Sequence, residues 1–364
     1  MGLSTQQFFA LLQAGLWNRP VDLSLFRKPV DWPAIYKMAL RHTVLAVVAD
    51  GMNQLPKELL PSQTLLQQWI MQVFGIEQRN RQMNALLPRL FKLFEDAGIR
   101  VFLLKGQGIA RLYPNPLHRQ CGDIDLFVEK KDLETAKNLL AKHTSLAERE
   151  RQDYIFHFQN ILIELHSEIN VQISYKLSHH HDCWIKERLL DAPPLVWGNT
   201  HLPSANFDAL FIFIHFFRHL MISGIGLRQL CDWARYLYKQ QEHINMEMLQ
   251  KDLERSGIGG AWNVFGHFIA RYLGFPGNKE FFTKDVDDKV LAFVLNDIMG
   301  DKNRIKRKEP SNLLLRKINS IFTLLPYRCR FFRIFPTETL YSIHCFFREG
   351  FKYMVKGNTS SLQQ

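Results

Sequence analysis

Two aspartates one residue apart, Asp123 and Asp125 in the run Cys121-Gly122-Asp123-Ile124-Asp125-Leu126-Phe127-Val128, are the first candidates for chemistry in this chain. The rest of the run is mostly apolar and reads as a strand. Side chains alternate across a strand, so both carboxylates project to one face. Two such groups repel each other unless a cation lies between them. Mg²⁺ uses one or two carboxylates together with substrate phosphate oxygens, which is what phosphoryl and nucleotidyl transfer require. Asp-x-Asp is also common at strand starts where no metal binds, so the neighbours have to decide.

Three neighbours favour the metal. Upstream, Leu103-Leu104-Lys105-Gly106-Gln107-Gly108 passes from a strand into a helix. Glycines and free backbone N–H groups at a helix start make an anion site, to which Lys105 adds a positive charge. Downstream, Ile163-Glu164-Leu165-His166 reads as a strand able to pair near the first and to offer Glu164 as a third carboxylate. Arg119, four residues before Asp123, has the fork geometry for bidentate contact with a triphosphate.

Weaker candidates carry blander readings. His179-His180-His181 with Asp182 and Cys183 matches no zinc spacing and reads as a solvated loop. His215 and His219 share one helical face, but no Glu follows His215 as in zinc proteases. A core or phosphate-contact role suits them better than metal binding. Arg228 and Asp232, also four apart, fit either a helical ion pair or a helix that faces the nucleotide.

The elements that must hold these residues fall into three textures. The first hundred residues read as helices: one from about Thr5 to Leu16 with Ser4 as its cap, and one begun by Asp31 before Trp32-Pro33. In the second, Ile35, Met38, Ala39 and Ala46 fall on one side at helical spacing. A long amphipathic stretch from Leu65 to Ala97 buries Leu86, Leu87, Leu90, Leu93 and Phe94, and Pro88 is expected to kink or divide it before Gly98 stops it. From Arg100 the chain alternates: strand Val101–Leu104, helix Gln107–Tyr113, strand Ile124–Val128, and helix Leu133–Lys142. A hairpin follows, Tyr154–Phe158 and Ile161–His166 about a Gln159-Asn160 turn. After Pro193-Pro194 helices return, Phe207–Ile222 and Gly226–Gln241, followed by less regular basic ones. The expected units are a helical region 1–98, an α/β core 99–192, a helical domain 193–300 that completes the cleft, and a basic helical region 301–364 with a polar tail.

Composition sets the bounds. An apolar share of 46% with 22% charged residues is that of a folded globular chain, with disorder expected only over 357–364. The formal charge of +11 favours phosphate-bearing partners, and most of it lies in 301–356, where thirteen basic residues face four acidic ones. An anionic partner there (RNA or a lipid surface) stands beside the plainer reading of a solvated face. Five scattered cysteines fit free thiols in a reducing compartment. Neither a signal peptide nor a myristoylation pattern is evident. The apolar run Leu210–Ile222 is interrupted by His215, Arg218 and His219 and is shorter than the about 20 residues a bilayer needs. A cytoplasmic protein with no transmembrane segment is expected.

The order Leu-Lys-Gly at 104–106, Leu112-Tyr113-Pro114, Arg119, Asp-Ile-Asp-Leu-x-Val at 123–128, then Glu-Leu-His at 164–166 resembles an uncharacterised branch of the nucleotidyltransferase superfamily. Trp32 and the segment Leu227-Arg228-Gln229-Leu230-Cys231-Asp232 extend the resemblance, which runs from about Trp32 to Tyr238. It implies an α/β (α+β) nucleotidyltransferase core with a mixed sheet, flanked by helical N-terminal and C-terminal regions. It further implies that Asp123 and Asp125 hold two Mg²⁺ ions (or Mn²⁺) and that Glu164 completes the site or acts as base. Lys105, Gly106, Gln107, Arg119, His166, Arg228 and Asp232 would contact the nucleotide and its phosphates. Where the wider superfamily has Gly-Ser in its phosphate turn, this chain has Lys105-Gly106. The expected reaction moves a nucleoside monophosphate from an NTP to an acceptor hydroxyl on a small molecule, sugar, protein or RNA, releasing pyrophosphate. The rivals are a non-catalytic nucleotide-binding scaffold on the same fold and a binder of nucleic acid or membrane surfaces through the basic C-terminal region.

Overall fold

A computed structural model describes residues 1–150, 153–171, 173–300 and 324–356. Much of the basic run, 301–323, and the polar tail, 357–364, lie outside the described residues. Helix α1 (Leu3–Trp17) begins after Gly2 with no side-chain cap, so Ser4 lies inside the helix and does not start it. Helix α2 (Trp32–Arg41) starts as expected, with the Asp31 carboxylate accepting from the Ala34 N–H at 3.0 Å and Pro33 in the first turn. It stops at Arg41, because the backbone turns through a positive φ of 54° at Thr43. Ala46 therefore belongs to the next helix, α3 (Leu45–Met52). Helices α1 and α3 meet at two glycines. A Cβ on Gly15 would lie 1.8 Å from the Val47 carbonyl oxygen, and one on Gly51 would lie 2.0 Å from that of Leu11.

Helix α4 (Gln63–Asp96) runs unbroken through Pro88, where a division was one expected outcome. The buried face formed by Leu86, Leu87, Leu90, Phe91 and Phe94 continues on both sides of the proline, and packing of that face offsets the lost backbone hydrogen bond. Asn199 donates to the Pro88 carbonyl at 3.1 Å. The helix ends where Gly98 takes a φ of 67°.

The sheet holds β1 (Val101–Leu104), β2 (Asp123–Val128), β3 (Ser145–Glu150), β4 (Asp153–Phe158) and β5 (Ile161–His166) in the order β1-β2-β5-β4-β3. All neighbours are antiparallel except β2 and β5, which run parallel. It is thus the mixed sheet expected, flanked by helical regions, with β3 as an edge strand the sequence did not reveal. Helices α5 (Gly106–Ala110) and α6 (Leu133–Ala141) join its strands. The pleat divides the side chains. Ile124, Leu126, Val128, Ile163 and Leu165 pack with residues of α4 and α6 in one buried cluster. Asp123, Asp125, Phe127, Glu164 and His166 alternate with these and so take the other face.

After α7 (Tyr175–Ile185) and a small hairpin, β6 (Leu195–Trp197) with β7 (Thr200–Leu202), the chain is helical. The described elements there are α8 (Ala205–Ile222), α9 (Leu227–Gln240), α10 (Met246–Ser256), α11 (Gly259–Tyr272), α12 (Asp288–Met299) and α13 (Pro336–Lys356). Helix α8 alone among the described helices is long and apolar enough to cross a bilayer, yet 78% of it is buried inside the protein. Phe213, Phe216 and Phe217 of α8 join Trp233, Trp262 and Phe265 in an aromatic core, with the Trp233 and Trp262 rings 4.8 Å apart. Residues of α1 and α3 belong to the same buried cluster.

Candidate active site

The pairing of β2 with β5 sets the site. Asp125 lies opposite Glu164 in the parallel register, and the pleat directs both to the same face as Asp123. His166 follows Glu164 by one pleat. Its Nε2 stands 3.1 Å from Asp125 Oδ1 and 3.5 Å from Glu164 Oε2, and its Nδ1 stands 3.2 Å from Asp153 Oδ1. From the β1–α5 turn, Lys105 Nζ reaches within 3.3 Å of Asp125 Oδ1. The turn is tight: Lys105 itself has a φ of 49° and Gly106 one of 41°. The lysine is thus held in a conformation that costs of order 1–3 kcal/mol for a non-glycine residue.

These charges set one another's proton affinities. Burial alone would raise Asp125, but Lys105 and His166 outweigh it and hold the carboxyl well below the usual range. Asp123 is raised by burial and by Asp125. Glu164 is pushed up to about 7 by burial and by the charges of Asp125 and Asp123. Burial opposes charge on His166, yet Asp125 and Asp153 carry it up to about 10. The raised values of Asp123 and Glu164 record a repulsion among the carboxylates that a divalent cation would relieve, and carboxylate oxygens are the hard donors such an ion takes. Among the described residues, the donors of Asp125, Glu164 and His166 lie within 4.8 Å of one another. His166 stands in that group where Asp123 was expected, while Asp123 remains on the same face.

Helix α8 forms the facing wall. Phe211 lies 5.9 Å from Lys105 Nζ, and the rings of His215 and His219 stand 4.6 Å apart. Burial first, then Lys105, lowers His215 well below its usual range. Burial and Arg218 bring His219 down to about 4. Both rings are therefore neutral at neutral pH. Arg228, on α9, donates to the Gln120 carbonyl at 2.8 Å, and its buried Nε has no protein partner. Its charge is felt at Asp123.

Other expected site residues turn elsewhere. The Arg119 fork grips Asp232, Nε to Oδ1 at 3.1 Å and Nη2 to Oδ2 at 2.8 Å, and the Tyr113 hydroxyl donates to the same carboxylate at 2.7 Å. Asp232 is therefore joined to Arg119 from another part of the chain, in place of the pairing with Arg228 that the sequence offered. Gln107 is buried and donates to Asn80 Oδ1 at 3.0 Å, while Asn80 donates to the carbonyls of Leu117 and Arg119. Helix α5 spans only five residues, stopping short of the expected Tyr113, so its dipole adds little at Lys105-Gly106. His179, His180 and His181 lie on helix α7 and not in a loop, with His179 and His180 set against carbonyls of their own helix. Of the basic C-terminal residues, Arg328 and Arg330 turn inward, to Ser342 and to Asp297.

Sequence reading missed Asp153. The Gln159-Asn160 turn holds the signal: Phe158 pairs with Ile161, and counting outward sets Asp153 across from His166. It also missed Phe211, whose place on a run of apolar α8 residues gives no sign of the lysine it faces.

Comparison with curated proteins and with solved structures finds no match. A family model described as uncharacterised nucleotidyltransferase matches residues 28–274. With its paired carboxylate strands and lysine turn inside that span, the chain belongs to this uncharacterised nucleotidyltransferase family.

Proposed function

We propose that the chain moves a nucleoside monophosphate from an NTP to an acceptor hydroxyl, with divalent metal bound at Asp123, Asp125 and Glu164. The bond formed joins the acceptor oxygen to the α-phosphorus, the bond broken releases pyrophosphate, and the acceptor's hydroxyl proton passes to solvent. One observation carries the reading: Asp125 and Glu164 are side by side on parallel strands, on the face of Asp123, with Lys105 3.3 Å away. A bound divalent ion would supply charge neutralisation for the phosphates and polarise the attacked phosphoryl group.

The protein's own groups bind and orient. Lys105 offers its ammonium to phosphate once Asp125 is engaged elsewhere, and the tight turn at Gly106 lets phosphate approach the backbone. The unpartnered Nε of Arg228, at the start of α9, adds a phosphate donor beside that wall. Neutral His215 and His219 provide hydrogen-bonding groups that add no charge. Arg119, Asp232 and Gln107 act indirectly, holding the segment that leads into β2. Five free thiols support a reducing, cytoplasmic setting.

The test is thermal stability with each NTP, with and without Mg²⁺ or Mn²⁺, beside an Asp123→Ala/Asp125→Ala control. A ligand bound by the folded state alone raises the melting temperature by mass action. A metal-dependent rise that the double variant loses is the expected result. No rise with any NTP in a folded sample refutes the reading.

A further inference from the structure

His166 stands between two sets of carboxylates. On one side its Nε2 faces Asp125 at 3.1 Å and Glu164 at 3.5 Å; on the other its Nδ1 meets Asp153 at 3.2 Å. Both arrangements follow from strand register. Two residues past Glu164, His166 returns to the carboxylate face, and one step beyond the last β4–β5 pair, Tyr154 with Leu165, the register brings Asp153 to it. An imidazole that binds metal must present a bare nitrogen, and a carboxylate accepting from the other N–H settles which nitrogen that is. Asp153 lies on the side away from the cluster, so Nε2, now hydrogen-bonded to Asp125 at 3.1 Å, is the nitrogen that would give up its proton to an ion entering between Asp125 and Glu164. Ligand atoms about 2.0–2.2 Å from a common ion can be no more than about 4.4 Å apart. The donors of Asp125, Glu164 and His166, within 4.8 Å of one another, need only a slight contraction to share one.

Resting on the nucleotidyl-transfer reading of this site, we infer that His166 Nε2 is itself a metal ligand and Asp153 its positioning residue, so that the site prefers a nitrogen-accepting divalent ion such as Mn²⁺, Co²⁺ or Zn²⁺ to Mg²⁺. Imidazole adds affinity for the later first-row ions, whereas Mg²⁺ keeps to oxygen and retains its waters. The rival role for His166 is a cation that neutralises Asp125 and never touches the metal.

The experiment uses the full chain, stripped of metal and loaded with Mn²⁺, alone and then with NTP, and read by pulsed EPR for nitrogen coupling. Wild-type protein shows coupling to one imidazole nitrogen. His166→Gln still binds Mn²⁺ but loses that coupling. Asp153→Ala retains the coupling and weakens Mn²⁺ about tenfold to a hundredfold, the usual effect of removing a partner that orients a ligand. In competition, wild-type protein binds Co²⁺ more tightly than Mg²⁺, and His166→Gln narrows that preference. Mn²⁺ held by oxygen alone, unchanged in His166→Gln, overturns the inference and leaves nucleotidyl transfer standing. Failure to bind any ion, with or without NTP, overturns both. Should His166→Gln not fold, Asp153→Ala decides, since Asp153 lies at the edge of the cluster and its side chain is 36% exposed. Unchanged Mn²⁺ affinity there also overturns the inference.

Discussion

Asp232→Ala strands the guanidinium of Arg119 in the interior, with side-chain exposures of 7% for the arginine and 5% for the aspartate in the intact pair. Breaking a buried pair by removing one partner costs about 3–5 kcal/mol, because the remaining charge has neither water nor counterion. The Tyr113 hydroxyl, which donates to the same carboxylate at 2.7 Å, loses its acceptor for about 1 kcal/mol more. Against a total stability of about 5–15 kcal/mol, the variant should lose a large part of its margin. Urea unfolding followed by tryptophan fluorescence measures the loss. Arg119→Met/Asp232→Leu, which leaves no stranded charge, should recover most of it, and in that folded double variant NTP should still raise the melting temperature. An Asp232→Ala cost within about 1 kcal/mol of zero would refute the buried-pair account. Equal instability of the single and double variants would do the same. Loss of the NTP shift in a folded double variant would instead show that Arg119 contacts the nucleotide.

Asp123→Ala and Asp125→Ala should each abolish metal-dependent pyrophosphate release. Asp123→Ala should leave the metal-free melting temperature unchanged or higher, since it relieves carboxylate repulsion; undiminished release by either purified variant would remove these residues from the site. His118 bridges Asp50 at 2.8 Å and Glu77 at 2.9 Å, and although burial disfavours its charge, these two partners raise it above the ordinary 6.5. A raised folded value means a stability contribution fully present below pH 6.5 and lost as pH rises through that folded value. The deficit of His118→Gln in urea midpoint should therefore be largest near pH 6 and shrink toward pH 9, whereas a deficit independent of pH would show that packing alone is involved. Gly51→Ala sets a Cβ 2.0 Å from the Leu11 carbonyl oxygen and must part α1 from α3, so a loss of about 1–3 kcal/mol or more is expected in the same assay. A neutral result would mean that the two helices do not approach as described.

Local physics made part of this protein readable in one dimension. Asp123 and Asp125 share a face because a pleat alternates. Asp31 caps a helix because its carboxylate reaches the N–H three residues on, and Gly98 ends one because it tolerates a positive φ. The turn at Gln159-Asn160 was legible for the same reason, and its register already contained Asp153 opposite His166. The hairpin at 195–202 was not legible, since strands of three residues with Val196 64% exposed leave no alternation to read. Pro88 left division open on sequence alone, and the helix stays whole because the face on both sides of it packs into the core under the sheet. Partner choice was beyond the sequence altogether. Arg119 is as well suited to phosphate as to Asp232, and only folding brings Asp232, 113 residues on, into its fork. His166 reads as a phosphate contact until β5 lies beside β2 and sets it against Asp125, 41 residues away. Buried charges take whichever opposite charge the packing of distant elements delivers, and that delivery is a property of the tertiary structure alone.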